Sequence, residues 1–108
     1  MTKKEAYEKE LNKLKELFID VDENTKKLNE GLIKDAAFLY AENYILKQSL
    51  DITGMIKFHP DNQTLQKPLP AAKEYRQNLT SYSVVIKTLN GVLEKVNNDD
   101  DDDMDEYE

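Results

Sequence analysis

The stretch from Asn24 to Asp51, NTKKLNEGLIKDAAFLYAENYILKQSLD, decides how this chain folds. At about 100° per residue, Leu28, Leu32, Ala36, Leu39, Asn43, Leu46 and Leu50 fall within roughly 80° of one another on a helix. Ile33, Ala37, Tyr40 and Tyr44 form a second stripe beside the first, and Phe38 and Ile45 lie on another side. A helix apolar around so much of its circumference needs more than one neighbour. It is therefore expected at the centre, against the segments before and after it and against another subunit. Gly31 inside it is unfavourable by up to ~1 kcal/mol relative to Ala, and suggests a close helix crossing.

Upstream, Tyr7, Leu11, Leu14 and Phe18 are spaced by four, three and four, which predicts a helix over about 4–19. Leu17 and Ile19 widen its apolar face, and Lys and Glu fill the rest. Asp20, Asp22 and Asn24 supply a turn and candidate N-caps for the helix over 24–51. Downstream, Tyr75, Leu79, Tyr82, Ile86, Leu89, Leu93 and Val96 alternate four and three apart, an unbroken heptad seam. This predicts a helix over 70–96, with Pro70 suited to its first turn. The connection over 52–69 contains Gly54 as a cap, a short extended stretch over 55–58, and two prolines. It is longer than most helix–helix loops, and its apolar residues suggest that it packs down. The expected fold is all-α: an elongated hairpin of helices two and three, with the N-terminal helix packed across it.

Charge divides the chain again. Of 108 residues, Lys and Arg number 15 and Asp and Glu 22, for a net charge of −7. Eight of those acids lie in residues 97–108, NNDDDDDMDEYE, leaving 14 acids against the 15 bases in residues 1–96. So short a body forms one domain over 1–96. The acidic segment over 97–108, with Asp99, Asp100, Asp101, Asp102 and Asp103 at its heart, is expected to be a disordered tail. It suits solubilisation, docking on a basic partner, or shielding of the protein's own basic face.

Several chemistries have no basis in the sequence. There is no Cys for a disulfide, a thiolate metal site or a nucleophile. No phosphate loop, nucleophile elbow or zinc-protease motif is present, and three glycines make no glycine-rich cradle. His59 is the only histidine and has no triad in sequence, so it is an ordinary loop residue. The acid run lacks the spacing of a calcium loop. The expectation is a non-enzyme with no catalytic residue, metal or cofactor. Nothing approaches the ~18 apolar residues of a membrane span. The charged start leads into no apolar h-region, so neither a signal peptide nor a membrane partner is expected.

Bases at Lys67, Lys73 and Arg76 have only Glu74 among them and suit phosphate contact, with Lys3 and Lys4 as lesser contributors. The other Lys residues of the first helix alternate with Glu and read as a solvated face. The tyrosines on the helical stripes read as core or interface, since base stacking needs them exposed. The expected self-association face is Ile33, Ala37, Tyr40 and Tyr44 on helix two with Tyr75, Leu79, Tyr82 and Ile86 on helix three.

The stretch from Gly31 to Leu93 also resembles the small terminase subunits of tailed phages infecting Gram-positive bacteria. The likeness rests on GLIKDAAFLYAENYILKQSL, with its Tyr40-Ala41-Glu42 step, on TGMIKFHPDNQTLQKPLPAAKEYRQNL, and on SYSVVIKTLNGVL. It spans over half the chain and consists of apolar and turn patterns without a catalytic signature. The resemblance implies a homo-oligomer that recognises viral double-stranded DNA and regulates a large terminase subunit, in the host cytoplasm. Two other classes fit the residues: a phage-encoded acidic-tailed adaptor without DNA contact, and a plain coiled-coil module.

Overall fold

A computed structural model describes the backbone of residues 1–54, 56–57 and 67–105, and side chains at 1–54 and 69–98. Three helices carry the chain: α1 (Lys3–Leu17), α2 (Glu23–Thr53) and α3 (Pro70–Asp105). Between α2 and α3, β1 (Ile56–Lys57) pairs antiparallel with β2 (Lys67–Pro68). Helix α2 packs against both α1 and α3, so it is central as its pattern predicts. The body is elongated, 73 × 29 × 18 Å.

The helix ends follow local chemistry. Thr2 caps α1 in a reciprocal box: its hydroxyl accepts from the Glu5 N–H at 3.1 Å, and the Glu5 carboxylate accepts from the Thr2 N–H at 3.3 Å. Helix α1 stops at Leu17, two residues before the expected end, because Phe18 leaves helical geometry (φ −100°, ψ 9°) and turns inward. Phe18 and Val21 are buried, with the Val21 N–H donating to the Phe18 carbonyl. Leu17 and Ile19 are left exposed and do not widen the core face as expected. Asp22 caps α2, accepting from the Thr25 N–H at 3.1 Å and its hydroxyl at 2.7 Å; these bonds hold its carboxyl below the usual carboxylate range. At the other end Gly54 adopts φ 77°, which L side chains rarely take, and its N–H closes on the Leu50 carbonyl at 2.7 Å. Helix α2 thus gains a residue at its start and two at its end relative to 24–51.

The core joins all three helices. Leu14, Phe18, Val21, Ile33, Ala36 and Leu89 form one buried cluster, flanked by Leu11, Leu32, Tyr82, Val85, Ile86, Val92 and Leu93. Tyr82, Ile86, Leu89 and Leu93 of the α3 heptad seam therefore pack inward, while Leu79 is exposed. Two details of α2 differ from the periodic reading. Leu28 is 83 % exposed, because the inward face at this end is taken by Asn29, whose amide donates to the Thr25 carbonyl at 2.8 Å. Gly31 marks no crossing: a Cβ there would meet nothing within 4 Å.

Helix α3 runs to Asp105, past the expected boundary at residue 96. No proline follows Pro70 and no capping geometry interrupts the last turns, so each further residue adds a backbone hydrogen bond after nucleation is already met. The first stretch of the acidic segment, 97–105, thus continues the helical backbone, while residues 106–108 lie outside the described residues. Carboxylates at a helix C-terminus oppose the macrodipole, which makes this extension the least favourable part of α3. The expectations for His59 and for most of the 52–69 connection also fall outside the described residues.

Two substitutions separate core packing from backbone propensity. Leu89→Ala should destabilise by about 2–5 kcal/mol, the range for opening a core cavity. Gly31→Ala should raise stability by up to ~1 kcal/mol, since the site is helical and open. Denaturant unfolding of both variants measures these changes.

Candidate functional site

Of the bases that the sequence singles out, Lys73 and Arg76 stand in the first turns of α3, and Lys67 lies in the strand just before it. Leu69 precedes the helix, and its carbonyl accepts from the N–H groups of Ala72 at 2.9 Å and Lys73 at 3.2 Å. Lys73 and Arg76 follow three residues apart, on one side of the helix, and both are exposed. Neither makes an ion pair among the described residues. No acid stands in the first turn of α3, whose N-terminal dipole favours anions. The ladder adds a residue that sequence reasoning missed. Its register sets Lys57 directly opposite Lys67, bringing a fourth cation to this end of the molecule.

Lys3 and Lys4 do not join this group equally. Lys3 pairs with Glu42 on α2 and lies 5.9 Å from the centre of the Phe38 ring, so its charge is engaged within the chain. Lys4 is exposed. Lys3 serves first to pin the start of α1 against α2.

The expected self-association residues split. Ile33 and Ala37 are buried inside a single chain and are unavailable to a partner. Ile86 is half-buried against the core cluster. Tyr40, Tyr44, Tyr75, Leu79 and Tyr82 line a cleft of about 550 Å³ between α2 and α3, together with Asn43 and Lys47. The apolar surface that α2 leaves open lies elsewhere, at Phe38, Ile45 and Ile52, spaced by seven residues. Seven-residue spacing was present in the sequence, but three positions without a second stripe did not distinguish it from the buried pattern.

Two polar contacts hold the cleft together. Asn43 donates from Nδ2 to the Tyr75 carbonyl at 3.2 Å, tying α2 to α3, and its buried Oδ1 has no partner among the described residues. Glu10, only 3 % exposed, accepts a hydrogen bond from the Tyr82 hydroxyl and pairs with Lys13 at 2.9 Å. The Tyr82 ring also lies 6.3 Å from that of Tyr40. Burial, then the Glu10 hydrogen bond and charge, push the Tyr82 phenol above its ordinary value. Glu10 sits four residues before Leu14 on the buried face of α1, where the heptad-like pattern gave no reason to expect a carboxylate. Its only signal was that position.

Among the described residues, no group of three or more metal-ligating side chains is brought together. No described helix is long and apolar enough to cross a membrane. The residues Asp99–Asp103 lie on the helical backbone beyond the body, away from the basic end. Comparison with protein-family models, curated proteins and solved structures finds no match to this chain.

The Glu10–Tyr82 contact gives a signed pH prediction. A phenol whose folded value is raised stabilises the fold fully below its unfolded value, about 10, and loses that contribution as pH rises further. The wild-type melting temperature should therefore fall above about pH 10. Tyr82→Phe should reduce that slope and, near pH 7, destabilise by about 1–3 kcal/mol through the carboxylate left with one partner fewer. Thermal melts of both proteins from neutral to alkaline pH measure this.

Proposed function

We propose that the chain is a small terminase subunit of a tailed phage of Gram-positive hosts. In this reading it is a non-catalytic, oligomeric component of genome packaging that binds viral double-stranded DNA and regulates a large terminase subunit in the host cytoplasm. The observation that carries the proposal is the likeness over residues 31–93. The exposed Lys73 and Arg76, beside Lys67 in the ladder, support DNA contact. The open Phe38–Ile45–Ile52 stripe supports self-association.

A second reading is an acidic-tailed adaptor that docks on a basic partner without touching DNA. The acid run on the far end of α3 and the net charge of −7 favour it. One experiment separates the two. Duplex DNA affinity should fall steeply with salt, since each neutralised phosphate releases counterions. Lys73→Ala with Arg76→Ala should weaken binding and flatten the log–log salt slope by roughly 1–2 units. Absence of DNA binding even at low salt, with no large-subunit complex on co-purification, selects the adaptor reading.

A further inference from the structure

The chain's acidic run and a group of its bases lie at opposite ends of one helix. At the start of α3 stand Lys73 and Arg76, with Lys57 opposite Lys67 in the adjoining ladder. Like charges directly opposite in an antiparallel pair are destabilising, so this end is improved by an anion. At the far end, the backbone carries Asp99 to Asp103 and Asp105, where the helix dipole disfavours carboxylates. That end is improved by cations.

The two ends do not reach each other within one molecule. From Arg76 to Asp99 along the continuous helix is about 35 Å at ~1.5 Å per residue. That exceeds four Debye lengths of about 8 Å at physiological ionic strength. Along this helix the described acidic run stands away from the bases at its start.

We propose that the acidic end of one copy docks on the basic start of α3 in a second copy. The acidic run of Asp99 to Asp103 with Asp105 meets the bases Lys57, Lys67, Lys73 and Arg76, twice in an antiparallel pair or once per copy in a ring or chain. The contact is electrostatic and salt-sensitive, unlike association through the Phe38–Ile45–Ile52 stripe. It occupies the same cations that the terminase reading gives to phosphate, so duplex DNA competes with it; the proposal itself does not rest on that reading.

Sedimentation of the full chain and of two charge variants tests it. One variant combines Lys73→Glu and Arg76→Glu; the other combines Asp99→Asn, Asp100→Asn, Asp101→Asn, Asp102→Asn and Asp103→Asn. At low salt the wild-type chain should associate, and raising salt to about 0.5 M, where the Debye length is near 4 Å, should weaken this about tenfold or more. Each variant alone should lose this association. An equimolar mixture should regain it, because one variant keeps the acidic end and the other the basic end. Wild-type chain that stays monomeric at low salt overturns the proposal, as does a mixture that stays unassociated. Association that survives both variants and high salt also overturns it, while supporting an apolar oligomer through α2.

Discussion

Packing of both α1 and α3 against α2 is the constraint on which the rest depends. It is made possible by small residues: Ala36, Ala37 and Ala41 are buried on α2, as is Ala6 on α1 and Ala72 on α3. Alanine carries no side-chain entropy into the fold and is the best helix former, so these positions allow close approach while favouring the helix. The bulk comes from Leu14, Phe18, Ile33 and Leu89 around them. With the centre of α2 committed in this way, its remaining faces become the cleft on one side and the open Phe38–Ile45–Ile52 stripe on another.

The polar contacts add specificity to that packing. Glu10 and Tyr82 are 72 positions apart in sequence, and their hydrogen bond joins the first helix to the last. A buried carboxylate needs such partners, since desolvation otherwise makes it strongly unfavourable. Asn43 does the same between α2 and α3, leaving one acceptor without a partner among the described residues.

Most of the fold was legible because helical periodicity is strong in all three segments. The seam from Tyr75 to Val96, the central place of α2 and the caps at Asp22 and Gly54 all follow from spacing and residue type. The differences arise where tertiary context outranks pattern. Phe18 ends α1 by turning into the core, Asn29 displaces Leu28, and Gly31 faces open space. Helix α3 passes residue 96 because continuation needs no new nucleus. Of the basic site, Lys67, Lys73 and Arg76 were legible as charge, but Lys57 was not, since only strand register places it with them. Ile33 and Ala37 entered the expected interface because apolar spacing does not say which stripe a chain keeps for itself.

The continuous backbone of α3 links the fold to the proposals above, because it holds the basic and acidic ends apart. Pulsed dipolar spectroscopy on spin labels at Gln77 and Asn98 measures that separation directly, and labelling is simple in a chain without native Cys. A continuous helix predicts a narrow distribution centred near about 32 Å, before the length of the label arms. A broad distribution weighted to much shorter distances would contradict the account, because the acidic end would then be free to fold back onto its own chain.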